Sequence, residues 1–306
     1  MNMQASLFSP AIDFKEQALL HFSRFEVRQA LACLEKAKSI DPYLADLDWL
    51  INLGELEQGF GAQARMSAAQ TARLWRAGDE LWKAGKIEVV AINLLRTHIA
   101  QRLLAGKFTP AGFCSPEEKN LHCGICHLVL RNWQAAFQNL LHLVTEHQEL
   151  TLPVHWAYFA DAAYALRRWP EASLGYARAL LAEPEAVDEL TLMHAGLRGI
   201  LQRLRFKGGN EKLARALWPF ESWRQEVLEV PRGRTFLFSD LQHRRSVLGS
   251  ELMLEREQRL RQFCLCLYVD QANLHDQINF DARAEMKALE PHLFTEYLAE
   301  VTRRRR

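Results

Sequence analysis

The residues of this chain whose types and spacing best suit chemistry form one short run, Cys123-Gly124-Ile125-Cys126-His127. A C-x-x-C-H string is the attachment signature of c-type haem, in which two thiols bond the porphyrin vinyl groups and the histidine ligates the iron. Attachment of that kind takes place in exported proteins. Residues 1–17 contain no basic region followed by an apolar region, so we expect neither a secretory signal nor haem.

A metal ion is the second chemistry that this part of the sequence could support. Tetrahedral sets of sulfur and nitrogen ligands are typical of structural zinc sites. The candidate ligands are Cys114, Cys123, Cys126 and either His122 or His127. Only one pair of these cysteines has the short spacing of a zinc knuckle, and a buried free cysteine behaves as a small apolar residue. We therefore expect Cys123 and Cys126 to pack inside a helical core, with no metal or other cofactor bound.

No other pattern of catalytic residues is present in the sequence. The glycine-rich phosphate loop, the dinucleotide-binding G-x-G-x-x-G, the H-E-x-x-H zinc helix and the G-x-S-x-G nucleophile turn are all missing. The 11 histidines are scattered along the chain. We therefore expect a protein that is not an enzyme and has no catalytic residues.

The most specific pattern in the chain lies in residues 153–184, and it predicts a pair of helices. Small and aromatic residues recur there at helical spacing: Trp156, Ala160, Tyr164, Ala172, Tyr176, Ala179 and Pro184. Trp156 and Ala160 are four residues apart, which places them on one face of the first helix. Pro170 suits the first turn of the second helix, and Pro184 ends it. We expect the tryptophans at such positions to build the core, namely Trp75, Trp133, Trp156 and Trp169.

This pattern resembles the tetratricopeptide repeat, a helix–turn–helix unit of about 34 residues. Residues 14–42 and 120–144 carry further copies, and a weaker copy runs over residues 75–95. Beyond the best copy the pattern is looser, and Gly208-Gly209-Asn210 is expected to stop a helix. The resemblance implies an all-α protein, folded as a right-handed α-solenoid in which stacked helix pairs bury one another's apolar faces.

We expect two regions in the chain. Residues 1–220 are expected to form the solenoid of tetratricopeptide-like repeats, and residues 221–306 a helical C-terminal extension that caps it. Within the extension, residues 251–278 and residues 282–306 each have the pattern of a helix. The four arginines at 303–306 are expected to be a solvated end.

The composition limits the classes of partner. The chain has 306 residues, 49% hydrophobic and 25% charged, which is enough to bury a large core. Its 38 basic and 37 acidic residues nearly cancel, which argues against nucleic acid as the main partner. No stretch of about 18 apolar residues is present, so we expect no membrane insertion. The six cysteines do not form a disulfide framework and, without an export signal, indicate a reduced, cytoplasmic protein.

A repeat solenoid of this kind implies a protein–protein adaptor, scaffold or chaperone-like binder. The first helices of the pairs would line a concave groove that captures a peptide or helix of a partner protein. By the resemblance, the groove-facing residues are Leu121, Ile125, Leu128, Val154, Tyr158, Asp161 and Tyr164. A rival possibility is that the C-terminal helices fold back into that groove and make these residues core. The alternative function is a metal- or haem-binding redox or sensor protein that uses residues 123–127 on a helical scaffold.

Overall fold

The structure is a computed structural model, and it describes most of the chain. The described residues are 10–24, 26–61, 67–85, 89–114, 119–208, 210–230, 255–273 and 279–305. Within them all regular secondary structure is helical, apart from one isolated antiparallel bridge between Phe113 and His122. The all-α prediction is therefore confirmed. None of the described helices is long and apolar enough to cross a membrane.

The helices group into two compact units, Met1–Asn139 and Leu140–Arg306, and the boundary between them falls inside helix α7 (Trp133–Glu146). The described part of the first unit contains six further helices: α1 (Pro10–Ser23), α2 (Val27–Ile40), α3 (Leu47–Gly61), α4 (Ala68–Lys83), α5 (Val89–Leu104) and α6 (Cys123–Val129). Helix α2 packs on both α1 and α3, and α5 packs on α1, α4 and α6.

Two of the predicted helix pairs lie wholly in this unit. The pair predicted over residues 14–42 is present as α1 and α2. Its buried residues include Ala18, Ala30, Leu34 and Ala37. The weaker copy over residues 75–95 falls on α4 and α5, and α4 begins with a capping box in which Ser67 and Gln70 bond each other's backbone N–H groups. Helix α3, between these pairs in the sequence, has no counterpart in the predicted repeats.

The described part of the second unit contains seven further helices: α8 (Pro153–Ala165), α9 (Trp169–Ala182), α10 (Ala195–Gly208), α11 (Glu211–Arg224), α12 (Arg256–Asn273), α13 (Phe280–Leu289) and α14 (Pro291–Arg305). Short 3₁₀ turns cover Gln148–Leu150 and Pro184–Ala186. Helix α8 pairs with α9 and α10 with α11, while α12 packs on α11 and α13, and α14 packs on α13. The predicted helix pair over residues 153–184 is therefore present as α8 and α9.

The α8–α9 pair packs closely because small residues face each other across it. Gly175 in α9 lies so near α8 that a Cβ atom there would stand 2.9 Å from the Ala160 Cβ and 2.9 Å from the Trp156 carbonyl oxygen. Pro170 lies in the first turn of α9, where its missing N–H has no cost. Any larger residue at position 175 would push the two helices apart.

The prediction that four tryptophans at repeat positions build the core is correct only for Trp75, which is 4% exposed. Trp169 begins α9 directly after the turn and is 53% exposed. Trp133 and Trp156 are partly exposed. The guanidinium carbon of Arg178 lies 4.0 Å from the centre of the Trp156 ring, so a cation covers one face of this tryptophan. Trp156 therefore lies under a charged side chain and is not fully enclosed between the two helices.

The C-terminal helices differ in two respects from the prediction. The predicted boundary at residue 220 falls inside α11, which runs to Arg224 and packs on α12. The helix predicted over residues 282–306 is two helices, α13 and α14, because Pro291 lacks the N–H that an uninterrupted helix needs. Pro231 and Gly233 predict a break between helical elements, and they lie in residues 231–254, outside the described residues.

The arginine-rich end of the chain contacts the end of α11. The guanidinium group of Arg304 donates to the Trp223 carbonyl oxygen at 2.6 Å, and its carbon lies 4.4 Å from the centre of the Trp223 ring. Arg303 forms ion pairs with Glu226 and Glu300, each at 2.6 Å. The last carbonyl groups of a helix lack partners within it, so a cation is favourable there. The expectation of a solvated end therefore needs correction at Arg304, which docks on α11.

We expect Gly175→Ala to destabilise the protein, because the new methyl group would have to displace the backbone of α8. The matched control is Gly199→Ala in α10, where the nearest atom to a new Cβ is 3.5 Å away. Alanine is more favourable than glycine in a helix interior by about 1 kcal/mol, so the control should gain roughly that amount. Gly175→Ala should instead lose about 1–3 kcal/mol through overpacking. Urea unfolding followed by circular dichroism measures both changes, and equal gains in the two variants would contradict the close packing.

Candidate functional site

The candidate metal ligands lie around the start of α6, where two irregular stretches of chain run side by side. The backbone N–H of Cys114 donates to the Leu121 carbonyl oxygen at 3.1 Å, and that of Cys123 donates to the Gly112 carbonyl oxygen at 2.8 Å. Cys126 follows Cys123 one turn later in α6. The structure therefore brings these three cysteines together, and all three are buried.

Burial raises the pKa values of two of the three thiols, those of Cys123 and Cys126. Burial raises the pKa of Cys126 to about 12, and the neighbouring Cys123 and Cys114 contribute to the rise. Burial also raises the pKa of Cys123, whose thiol donates to Asn139 Oδ1 at 3.2 Å. Thiolates rather than thiols act as nucleophiles and metal ligands. Burial therefore favours the protonated form of Cys123 and Cys126, and a buried thiol packs as a small apolar group.

His122 uses both of its ring nitrogens in hydrogen bonds to the backbone. Nδ1 accepts from the Gly124 N–H at 3.0 Å, and Nε2 donates to the Ala111 carbonyl oxygen at 3.0 Å. Gly112 has a φ of 83°, and a Cβ there would stand 2.3 Å from Nε2 of His122. Only glycine fits this position, on both conformational and steric grounds. His122 therefore caps α6 and fixes the loop before it.

His127, the histidine of the C-x-x-C-H string, has a pKa that burial lowers. Its Nδ1 atom is buried and has no hydrogen-bond partner in the part of the chain that the structure describes. Across that same part of the chain, no three or more cysteine, histidine, aspartate or glutamate side chains are placed to hold a metal ion. The described geometry thus offers a thiol cluster but no set of metal ligands.

The predicted groove residues are mostly interior. Five are buried: Leu121, Ile125, Leu128, Tyr158 and Asp161. Two are partly exposed: Val154 and Tyr164. A side chain without solvent exposure offers no surface to a partner, so the five buried residues belong to the core in this structure. Capture of a partner by the α8 residues that keep exposure stays a prediction.

The buried face of α8 is covered by residues 184–194, which join α9 to α10 and are called the connector here. After an initial 3₁₀ turn the connector has no regular secondary structure. The Tyr158 hydroxyl donates to Asp188 Oδ2 at 3.0 Å, and the Tyr164 ring packs against the His194 ring with centres 4.8 Å apart. Within the described residues, these contacts place the connector over α8.

Asp161 is the carboxyl group that holds the connector to this face, and it is only 1% exposed. Its Oδ1 atom accepts hydrogen bonds from the Tyr176 hydroxyl at 2.5 Å and from the Met193 backbone N–H at 2.8 Å. Burial raises the pKa of Asp161 to about 8, and the nearby Asp188 adds to the rise, while the accepted hydrogen bonds oppose it. Asp161 is therefore mostly a neutral acid at neutral pH, which lowers the cost of its burial.

Charged side chains of three further helices also hold the connector. Arg205 of α10 donates to the two carboxylate oxygens of Glu189 at 2.6 and 2.7 Å. Arg215 of α11 pairs with the same glutamate. Arg261 of α12 pairs with Glu185 at 2.6 Å. The connector is therefore a common point of contact for helices α8 to α12, with α9 meeting it through the rings of Tyr176 and His194.

A second buried carboxyl group, Asp270 in α12, has a different environment. Arg283 of α13 donates to its Oδ2 atom at 2.8 Å, and the Asn279 N–H donates to its Oδ1 atom at 3.1 Å. The Tyr297 hydroxyl of α14 donates to it as well. Asp270 thus joins three helices with the help of a cation, whereas Asp161 accepts its hydrogen bonds from neutral donors.

The sequence gives one signal for the Asp161 site, because this aspartate lies inside the otherwise apolar and aromatic run Ala157–Ala165. Its partners Tyr176 and Met193 lie 15 and 32 residues further along the chain. No rule of local spacing links residues that far apart, so the hydrogen bonds and the cover over α8 were not predicted.

Comparison of the chain with protein-family models, curated proteins and solved structures finds no match. The likeness to tetratricopeptide repeats therefore depends on the sequence pattern alone.

We expect the native protein to resist thiol reagents, because all six cysteines are buried and a thiol reacts as its thiolate. Ellman's reagent at mildly alkaline pH should modify the native protein slowly and all six thiols at once in urea. The matched control is Ser39→Cys, which places a thiol at an exposed position and should react immediately. Rapid native reaction of Cys123 or Cys126, identified by mass spectrometry, would contradict the buried cluster.

The stability of the protein should fall as the pH rises through the titration range of Asp161. Burial raises the pKa of this group from 3.8 to about 8, so between these values the folded chain keeps a proton that the unfolded chain releases. The contribution of Asp161 to the free energy of unfolding should therefore decrease by up to about 1.4 kcal/mol per pH unit in that window. Asp161→Asn cannot titrate and should remove this slope.

Urea unfolding of the wild type and Asp161→Asn at several pH values, from about pH 5 to 8, measures the effect. The matched control is Asp281→Asn, which makes the same change of charge at an exposed position. Asp161→Asn should become more stable relative to the wild type at each higher pH, and Asp281→Asn should not. A difference that is constant with pH would show that Asp161 does not titrate in this range.

Proposed function

We propose that this chain is a protein–protein interaction scaffold, an adaptor or chaperone-like binder whose helix pairs stack as a right-handed α-solenoid of tetratricopeptide type. The observation that carries the proposal is the close packing of α8 on α9 through Gly175 and Ala160. The repeat pattern places small residues where the two helices of a pair approach each other. No catalytic residue is part of the proposal.

The succession of helix pairs within each unit supports stacking. A single pair cannot bury all of its apolar surface, so a neighbouring pair has to cover it. In the second unit α10–α11 follows α8–α9, and α11 also contacts α9. In the first unit α1–α2 and α4–α5 meet through the contact of α1 with α5. A partner peptide or helix would bind on the surface of first helices that stacking leaves open.

The exposed part of α8 is the place where we expect capture of the partner. Val154 and Tyr164 are the groove residues that keep solvent exposure. Tyrosine is frequent among the residues that contribute most to protein interfaces, because a large rigid ring buries much area. Tyr164 is therefore the residue whose loss should weaken partner binding most.

The state of the cysteines bears on where such a scaffold would act. All six are free and buried. Free thiols are usual in the reducing cytosol, whereas the cysteines of exported proteins are usually paired. We therefore propose a cytoplasmic protein.

Panning of a phage-displayed library of random peptides against the purified protein tests the scaffold function. Enriched peptides should raise the melting temperature, because a ligand that binds only the folded state stabilises it. Tyr164→Ala should weaken their binding about tenfold or more. The matched control is Phe206→Ala in α10, whose side chain is 93% exposed and whose loss should leave binding unchanged.

Circular dichroism of both variants checks that the helices persist. Failure to select any peptide that binds the folded protein would overturn the proposal. Binding that is equally strong in Tyr164→Ala and the wild type would place the binding surface away from α8.

A further inference from the structure

One surface of the second unit combines exposed aromatic rings with arginines. Three of its residues have rings and one is a methionine, and together we call them the aromatic patch: Tyr164, Trp169, Met193 and His194. Trp169 is 53% exposed and Met193 is 39% exposed. The centre of the Tyr164 ring lies 5.0 Å from that of Trp169 and 4.8 Å from that of His194. The three rings therefore form one cluster, and Met193 lies beside it in the connector.

The aromatic patch is held in place by the groups beneath it. The backbone N–H of Met193 donates to the buried Asp161. The Tyr164 ring also meets the buried Tyr176 ring edge-on, with centres 6.5 Å apart. A surface that is fixed before binding loses little conformational freedom when a partner arrives. The patch is therefore preorganised for contact.

The residue types of the patch are those of interface centres. Tryptophan, tyrosine and methionine are enriched there relative to the rest of a protein surface. A tryptophan in a well-packed interface is among the residues whose truncation costs most binding energy. Trp169 leaves much apolar area in water at its position after the turn, and the side chain of a partner could cover that area.

The rim of the patch is basic. Arg167 lies in the turn between α8 and α9, and Arg198 lies one helical turn after His194, to whose carbonyl oxygen its N–H donates at 3.1 Å. Both arginines are exposed and neither forms an ion pair within the described residues, and the Arg198 guanidinium group also donates to the Leu192 carbonyl oxygen of the connector. The one acidic side chain of the adjoining turn, Glu171, pairs with Arg168. Two arginines without an ion pair in the described residues therefore lie near the rings.

We propose that the aromatic patch is a docking site for an acidic segment of a partner protein that carries a bulky apolar side chain. The apolar side chain would pack on Trp169 and Tyr164, and flanking carboxylates would pair with Arg167 and Arg198. This inference names the partner chemistry of the proposed function and rests on it. A nucleic acid fits less well, because its phosphates call for a broader basic surface than two arginines provide.

Fluorescence anisotropy of labelled synthetic peptides tests the docking site. The probe peptide has a central tryptophan flanked by glutamates, and matched peptides replace the glutamates by lysines or the tryptophan by serine. The acidic tryptophan peptide should bind most tightly and should lose affinity as salt rises. Its affinity should fall about tenfold or more in Trp169→Ala and in Arg167→Glu. The matched control is Tyr43→Ala in the first unit, which is 97% exposed and should bind like the wild type.

Each other outcome overturns the docking site. Equal binding of the lysine peptide, or unchanged binding in both patch variants, would show that neither the rings nor the charges recognise the probe. Displacement of the acidic peptide by a single-stranded RNA oligonucleotide would assign the patch to nucleic acid. Self-association of the wild type that Trp169→Ala abolishes in sedimentation would assign it to a second copy of the chain.

The scaffold function and the acidic docking site can be tested independently of each other. Trp169 and Arg167 are exposed, so their variants should keep the wild-type melting temperature, which thermal unfolding checks. Peptides selected from the random library without regard to charge test the scaffold function alone. If the selected peptides are basic or neutral and bind the patch variants as tightly as the wild type, the scaffold function is supported and the proposal of an acidic partner segment is wrong.

Discussion

Hydrogen bonds to the buried carboxyl group of Asp161 join three parts of the second unit: α8, α9 and the connector. A buried carboxyl group costs free energy unless it is hydrogen-bonded, and an ionised one without a cation costs far more. Asp161 meets that constraint because burial raises its pKa enough to keep it largely protonated, and because Tyr176 and Met193 donate to it. One of these bonds joins α8 to α9 and the other joins α8 to the connector. A single side chain therefore fixes three parts of the unit relative to one another.

The connector in turn fixes the helices that follow it. Beyond its first turn it has no regular structure, so many of its polar backbone and carboxylate groups need side-chain partners. These partners are arginines of the surrounding helices: Arg198, Arg205, Arg215 and Arg261. The planar guanidinium group offers several donors in a fixed arrangement, which suits a site where one side chain has to satisfy a carboxylate or several carbonyl groups. Helix pairs that met through apolar contacts alone would not need this set of charges.

Local patterns predicted several of the helix pairs, because the signals for them lie within a few residues of one another. Asn210, for example, caps α11 by accepting from the backbone N–H groups of Lys212 and Leu213. Contacts between distant residues leave no such signal: Arg304 reaches Trp223 across 81 residues, and Met193 reaches Asp161 across 32. For the same reason, the sequence did not predict the burial of the groove residues. A repeat pattern tells which face of α8 an ideal repeat leaves open, but not which later segment covers it.

For the C-x-x-C-H string, the environment of the thiols matters as well as their spacing. Cys123 is the first residue of α6, and a helix N terminus lowers the pKa of an accessible thiol. Here burial outweighs that effect and raises the pKa of Cys123, and Cys126 is raised further by the thiols beside it. The histidine that controls the local structure is His122, which lies before the string and is locked against Gly112. Cys123 and Cys126 are both buried at the start of α6, where protonated thiols pack like apolar groups.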